Sequence, residues 1–283
     1  MQKSKEEYYK EQDNRINTRM SKIKHTILVM SGKGGVGKST VAVNLAYALC
    51  LENYEVGILD VDIHGPNIAK MLGIENRQIG VTGIDIEPVK VLPNLKAVSL
   101  AVIGVGVNQA IIWRGPMKAN MIRQFLSDVN WEELDFLIID SPPGTGDEPL
   151  SVCQLIPNIS GIIIVTTPQD LAILDALRSI AFAKTIDKPV IGIIENMSGF
   201  VCPHCKKEID IFKKGGGEKL ADKMKVPFLG RIPFEPKFVE FGDRGMPFAS
   251  RAESSVDQGL SSNSFAPIVH RIKQFVEHKS VCR

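Results

Sequence analysis

The stretch Ser31-Gly32-Lys33-Gly34-Gly35-Val36-Gly37-Lys38-Ser39-Thr40 decides the fold, because it contains a complete phosphate-binding loop. An apolar, β-branched run (25–30) precedes it, and a run with helical spacing of apolar residues (41–51) follows it. The glycines at 32, 34, 35 and 37 let successive N–H groups and the helix N-terminus face a phosphate. The stretch predicts nucleotide binding, and nucleotide hydrolysis is the first hypothesis.

The loop supplies most of the predicted nucleotide-binding residues. Lys38 is expected to reach the β and γ phosphates, and the Ser39 hydroxyl is expected to bind Mg²⁺. Lys33 is a second lysine that such a loop does not require. It cannot easily fold back onto its own phosphates, so it would neutralise transition-state charge in a partner chain. The residues alone leave that role open against a solvent-exposed lysine. The binding residues predicted in the loop are Gly32, Lys33, Gly34, Gly35, Val36, Gly37, Lys38, Ser39 and Thr40.

Two acidic segments follow apolar strand-like runs. The run 56–60 leads into Asp60 and Asp62, and Asp62 is the better candidate for orienting the attacking water, against a solvated or capping aspartate. The run 136–140 ends in Asp140, which is expected to hold Mg²⁺ through a water molecule because Mg²⁺ keeps part of its hydration shell. The Pro/Gly loop after it, 141–147, is expected to sense the γ phosphate and to rearrange on hydrolysis.

Composition limits the classes of protein and partner. The chain has 283 residues, 44% of them hydrophobic, which is enough for one large α/β core. A formal net charge of +2 indicates no preference for nucleic acid or acidic membranes, and the polar start is not a signal peptide. Five cysteines, an odd number and widely spread, suit a reducing compartment, so a cytoplasmic location is expected.

Strand-like runs alternate with helical patterns, which predicts an α/β fold with a mostly parallel sheet and helices on both faces. The predicted strands are 26–30, 56–60, 97–103, 136–140, 161–166, 190–195 and 227–232. We expect a polar N-terminal arm (1–24), helical over 5–19 and a mobile surface element, followed by one ATPase domain (25–252). A Ser/Asn/Gly-rich linker (253–264) then leads to a C-terminal segment (265–283) with a helix from about Pro267 to His278. The pattern of that helix is open to membrane binding, but packing on its own domain is favoured because the apolar face is modest and the flanking charge is mixed.

A Cys-x-x-Cys pair, Cys202 and Cys205, offers two thiolates on one short loop. A four-iron cluster or a thiolate zinc site usually takes four ligands, so one chain holds half a site and a symmetric dimer would complete it. Spacing alone leaves an iron-sulfur cluster, zinc and unmetallated thiols open. A redox dithiol is a further reading, disfavoured by the position of the pair late in the chain. Cys50 and Cys153 are expected to be core thiols, and Cys282 to be incidental.

The loop with Lys33 resembles the deviant Walker A ATPases, the group of MinD/ParA-like and nitrogenase-iron-protein-like enzymes. From about Lys24 to Phe248 the chain is similar to the Mrp/ApbC type of ATP-dependent iron-sulfur cluster carrier within that group. The segments that carry this resemblance are DVDIHGPN (60–67), WRGPM (113–117), 134–147, TTPQD (166–170), ENMSGF (195–200), CPHC (202–205) and GGGEKL (215–220).

The resemblance implies a homodimer with ATP between the subunits. It implies that Lys33 acts across the dimer, that Asp62 belongs to switch I, that 140–147 cover Walker B and switch II, and that Asn196 lies near adenine. It also favours a transient [4Fe-4S] cluster shared by Cys202 and Cys205 of both chains, received from a donor scaffold and passed to apo-proteins. The alternative function is a ParA/MinD-like nucleotide-dependent switch with structural zinc at the CxxC pair.

Overall fold

The computed structural model describes residues 5–62, 65–99, 102, 115–202, 204–205, 207–249 and 262–281. Its helices are α1 Lys5–Met20, α2 Lys38–Leu51, α3 Ile68–Met71, α4 Gly115–Asp128, α5 Asp147–Leu155, α6 Asp170–Thr185, α7 Gly216–Met224, α8 Lys237–Asp243 and α9 Ser262–Val281. Its strands are β1 Ile23–Ser31, β2 Val56–Asp60, β3 Gly80–Thr82, β4 Asp85–Glu87, β5 Val89–Leu92, β6 Leu95–Val98, β7 Leu134–Asp140, β8 Ile159–Thr166, β9 Val190–Val201, β10 Glu208–Ile209 and β11 Phe228–Phe234.

The central sheet has the strand order β10-β9-β8-β1-β7-β2-β6-β5, and β11 also pairs with β9. The pairs from β2–β6 through β8–β9 are parallel, as is β9–β11, whereas β5 and β10 are antiparallel edge strands. The strand before the phosphate-binding loop, β1, lies between β7 and β8. The ends of β1, β2 and β7 therefore meet at one edge of the sheet, where open α/β folds bind ligands.

Alternate residues of β1 point to opposite faces of the sheet. Ile27 and Val29 pack into one apolar core with α2 and α9, and Leu28 and Met30 pack into a second with α4, α5 and α6. Helices thus cover both faces, which confirms the predicted fold class. Among the described residues, no helix combines the length and apolarity needed to cross a membrane.

The N-terminal segment differs from the expectation of a mobile polar arm. Ile16 and Met20, one helical turn apart, are 1% and 7% exposed and join the core beside α4. Arg15 also forms an ion pair with Asp128 of α4, with an N–O distance of 2.8 Å. These two apolar side chains on one face of α1 hold an otherwise polar helix against the domain. The next strand, β1, begins at Ile23, two residues before the predicted start of the ATPase domain at 25.

At the other end, α9 packs on β11 and α2. Its apolar face is buried, with Phe265, Ile268 and Ile272 each at most 1% exposed. The helix begins at Ser262, five residues before the predicted start at Pro267, because burial of Phe265 holds the turn that precedes the proline. Residues 253–261 of the predicted linker lie outside the described residues. The same holds for His64, Trp113, Arg114 and Cys282.

Candidate functional site

The phosphate-binding loop connects β1 to α2. Gly35 and Gly37 have φ angles of +78° and +81°, which favour glycine. At Gly37 an added Cβ would lie 2.2 Å from the Asn196 side-chain nitrogen, so the tight approach also requires glycine. Gly37 is the N-cap of α2, and no side chain caps this helix. Its first N–H groups are therefore available to an anion, as phosphate binding requires.

Lys38, Ser39 and Asp140 form one buried cluster. The Lys38 ammonium lies 2.6 Å from Oδ1 of Asp140, and the Ser39 hydroxyl donates to Oδ2 at 2.6 Å. The side chains of Lys38 and Asp140 are only 6% and 1% exposed. Burial raises the pKa of Asp140, and the Lys38 charge together with the two hydrogen bonds opposes that shift. The cluster brings together the loop and the strand that were predicted to share Mg²⁺.

Asp60 lies directly beside this cluster, since it pairs with Asp140 in the register of β2 and β7. Its carboxylate accepts hydrogen bonds at 3.0 Å from the Ser99 hydroxyl and at 3.0 Å from the Asp62 N–H. Burial, and then the Asp140 carboxylate, raise the pKa of Asp60 well above its usual range. Sequence reasoning left Asp60 out of the predicted site. Its position at the end of the apolar run 56–60, like that of Asp140 at the end of 136–140, was the available signal.

Asp62 is 9% exposed and lies two residues beyond the end of β2. Its Oδ1 accepts a hydrogen bond from the Gly65 N–H at 3.3 Å. Asp62 is also close enough to raise the pKa of Asp140. The carboxylate therefore belongs to the same edge of the sheet as Lys38 and Asp140.

Lys33 is half-buried in the loop. Its carbonyl accepts a hydrogen bond from the Ser31 hydroxyl at 2.9 Å, whereas its ammonium forms no ion pair within the part of the chain that the structure describes. The Gly144 N–H donates to the Ser31 carbonyl at 2.7 Å, which ties the start of the loop to 141–147.

A pocket of about 260 Å³ adjoins the loop at Gly37 and Thr40. Aromatic side chains of Phe234 and Phe238 line it, together with Asn196. The Asn196 amide donates to the Val36 carbonyl at 2.9 Å, so this residue holds the loop as well as lining the pocket. Polar side chains, Asn44 and Glu235 among them, complete the lining. A pocket with aromatic walls and a set of polar groups beside a phosphate loop has the character of a site for a nucleotide base.

The CxxC pair lies at the turn between β9 and β10. The Cys202 N–H donates to the Lys207 carbonyl at 3.0 Å, next to the antiparallel pairing of Val201 with Glu208. Cys202 is half-buried and Cys205 is exposed. Within the described residues, no group of three or more His, Cys, Asp or Glu side chains is arranged to hold a metal ion.

The remaining described cysteines are in the core, as predicted. Cys50 is 4% exposed and Cys153 is 2% exposed. Burial raises the pKa of each thiol to about 11, so neither is a ready thiolate ligand near neutral pH.

The donor set at the sheet edge fits a nucleotide with Mg²⁺. The Ser39 hydroxyl and the carboxylates of Asp62 and Asp140 are hard oxygen ligands, which Mg²⁺ prefers. The uncapped N-terminus of α2 and the Lys38 ammonium supply the positive charge that balances the negative charge of a triphosphate.

Comparisons with known proteins agree with this geometry. The family model described as "NUBPL iron-transfer P-loop NTPase" matches residues 22–272. The chain belongs to this family. An iron-sulfur cluster carrier protein of Methanocaldococcus jannaschii is 52% identical over 269 residues, which are 95% of this chain and 91% of the relative. The cytosolic Fe-S cluster assembly factor CFD1 of Saccharomyces cerevisiae is 48% identical over 225 residues, 77% of this chain and 76% of that protein.

Among solved structures, a nucleotide-binding protein from Archaeoglobus fulgidus in complex with ADP is similar to this member of the iron-transfer P-loop NTPase family. The TM-score is 0.73 and the sequence identity 39%, over 82% of this chain and 91% of that one. The family assignment and the fold match the predicted resemblance. The individual site residues stay predictions, although the structure brings Lys38, Ser39 and Asp140 into contact.

Proposed function

We propose that this family member is a homodimeric MgATPase that carries an iron-sulfur cluster and passes it to apo-proteins. One observation carries the proposal: a single strand, β9, takes part in both candidate sites. Asn196 on β9 lines the nucleotide pocket and holds the phosphate loop, and Cys202 follows the end of the same strand. A nucleotide site and a pair of surface cysteines are thus built on one element.

In the proposed ATPase site, the backbone of 34–40 binds the triphosphate and Lys38 reaches its β and γ phosphates. Ser39 holds Mg²⁺, with Asp140 behind it through a water molecule. Bound there, Mg²⁺ would neutralise phosphate charge that develops during hydrolysis. Asp62 orients the water, and Asn196 contacts the base.

Lys33 gives the argument for a second copy of the chain. Its ammonium lies in the phosphate loop without an ion pair among the described residues, so a partner's nucleotide offers it a counter-charge. The CxxC loop needs a second copy for an independent reason, since Cys202 and Cys205 are two of the four thiolates that a four-iron cluster takes. A symmetric dimer satisfies both requirements with one contact.

The cluster is the cargo of the proposed carrier. The yeast relative's name as a cytosolic assembly factor supports a cytoplasmic site of action for this chain, with a donor scaffold and apo-proteins as partners. The nucleotide state would control how long the cluster is retained, because the switch residues and the cysteines face the same proposed interface.

Anaerobic reconstitution with iron and sulfide tests the proposal. The wild type is compared with the double variant Cys202→Ala/Cys205→Ala and with Cys153→Ala, a control that removes a buried thiol. Visible absorbance, iron and sulfide content, and native mass are measured. We expect one labile cluster per two chains in the wild type and the control, and none in the double variant.

A different result would overturn the carrier function. Tightly bound zinc at Cys202 and Cys205 would favour the nucleotide-dependent switch with a structural metal site. If the double variant still bound iron, Cys202 and Cys205 would not be the ligands of the cluster.

A further inference from the structure

Glu195 is a carboxylate in the core that neither the nucleotide site nor the cysteine pair uses. It lies in β9, next to Asn196, and is 0% exposed. Its Oε1 accepts hydrogen bonds from the Ser198 hydroxyl at 2.5 Å and from the Gly215 N–H at 2.9 Å, and its Oε2 accepts one from the Gly217 N–H at 2.5 Å. A buried carboxylate with this many donors is held firmly in place.

These donors lie at the two ends of one excursion of the chain. We call residues 198–214 the cysteine excursion, since Cys202 and Cys205 lie in it. Ser198 begins the excursion, and Gly215 follows its last residue. Glu195 therefore closes the base of the segment that presents both cysteines.

The contact also explains the run Gly215-Gly216-Gly217, which has no role in the proposed ATPase. Gly215 has a φ of +85° and is the N-cap of α7, where it has no side chain to cap the helix. A Cβ on Gly216 would lie 2.8 Å from the Pro168 carbonyl oxygen, and one on Gly217 would lie 3.1 Å from the Glu195 side chain. The glycines let the start of α7 approach β9 closely enough for Glu195 to cap it.

The electrostatics of this cap are favourable. A carboxylate at the N-terminus of a helix interacts with unpaired N–H groups and with the positive end of the helix dipole. The Nε of Arg231 lies 3.4 Å from Oε1 of Glu195 and adds a second positive group. The negative charge of Glu195 is thus compensated within the core.

The neighbouring residue connects this cap to the nucleotide loop. Asn196 donates to the Val36 carbonyl at 2.9 Å, while Glu195 holds the excursion. Between them and the cysteines, β9 bulges: Met197 and Gly199 have φ angles of +56° and +76°, and the pairing with β11 shifts register there. The outer part of the excursion has contacts of its own, since β10 pairs with β9, Phe212 lies against Phe234 of β11 with ring centroids 6.0 Å apart, and Lys213 pairs with Asp170. Glu195 adds the contact at the base, where the excursion leaves β9 and returns to α7.

We propose that Glu195 is a positioning residue, which clamps the base of the cysteine excursion and fixes the two cysteines relative to the phosphate loop. The inference rests on the proposed function, in which those cysteines hold the cluster. Its consequence is that loss of the clamp loosens the base of the excursion while the nucleotide site stays intact.

The test uses the metal-free protein, so that it does not depend on cluster binding. Glu195→Gln keeps the shape of the side chain but directs an amide nitrogen toward N–H donors. Glu208→Gln is the matched control, because it makes the same change in an exposed ion pair of the excursion, with Lys214. Hydrogen exchange over 198–217 and the alkylation rate of the half-buried Cys202 are measured in both variants and in the wild type.

We expect both local rates to rise about tenfold in Glu195→Gln and to stay at the wild-type value in Glu208→Gln. Exchange in β1 and α2 and the affinity for ATP should stay within about twofold of wild type, which a general loss of stability would not allow. If exchange over 198–217 and the alkylation rate were the same in Glu195→Gln and Glu208→Gln, the proposed positioning role of Glu195 would be wrong.

If Glu195→Gln does not fold, Ser198→Ala decides the question, since it removes one of the contacts to Glu195. A rise of about threefold in the same local rates is expected, and a rate equal to that of Glu208→Gln would reject the role. The proposed carrier function fails separately, if the wild type takes up no cysteine-dependent cluster. Raised local exchange and alkylation rates in Glu195→Gln would still show in that case that Glu195 holds the base of the excursion.

Discussion

Replacing Lys38 by methionine should destabilise the nucleotide-free protein far more than the same change in a surface lysine. Lys38 and Asp140 form a buried pair with side chains 6% and 1% exposed and an N–O distance of 2.6 Å. Removing one partner of a buried pair costs about 3–5 kcal/mol, because a charge is left buried without compensation.

Lys214→Met is the matched control. Lys214 pairs with Glu208 where the two side chains are 42% and 53% exposed, and such pairs contribute about 0–1 kcal/mol. Urea denaturation without nucleotide gives the free energy of unfolding, and calorimetry gives the melting temperature. At roughly 2 °C per kcal/mol for a chain of this size, Lys38→Met should melt about 6–10 °C below the wild type.

The double variant Lys38→Met/Asp140→Asn separates the loss of an ion pair from the loss of packing. It removes both charges, so it should recover most of the stability that Lys38→Met loses. The reasoning is refuted if Lys38→Met costs less than about 1 kcal/mol, or if the double variant is less stable than the single one by the full cost of a second substitution.

Two further predictions concern the loop and the thiols. Gly37→Ala should cost about 1–3 kcal/mol of unfolding free energy and weaken ATP binding in calorimetry, because φ is +81° and the added carbon would lie 2.2 Å from an amide nitrogen. Gly34→Ala, whose added carbon would meet nothing closer than 4.0 Å, should cost less than about 0.5 kcal/mol; equal costs would contradict the geometry. With iodoacetamide at about pH 8, peptide mapping of the folded protein should show alkylation of Cys205 at least about a hundredfold faster than that of Cys50, whose thiol pKa is raised to about 11 by burial. Similar rates for the two thiols would show that the core opens readily or that Cys50 is not buried.

The sequence predicted the long elements well, because their signals are local. The expected strand at 26–30 lies within β1, and the expected strand at 136–140 lies within β7. The short strands β3, β4, β5 and β10 were missed, since two to four residues are too few for a periodic pattern. The expected strand at 97–103 ends at Val98 in β6, and the chain beyond it is described only at Ser99 and Val102.

The sequence alone determined the phosphate-binding loop, the order of strand and helix around it, and the presence of a cysteine pair. These depend on neighbouring residues, whose backbone preferences and spacing can be read directly. The tertiary structure decided which distant side chains meet. Parallel pairing of β2 with β7 places Asp60 beside Asp140, and Asn196 reaches Val36 across 160 positions of the chain. Such contacts follow from strand order and register, and no local pattern encodes them. For the same reason Glu195, an ordinary acid in the sequence, becomes the cap of α7 only when β9 and α7 pack together.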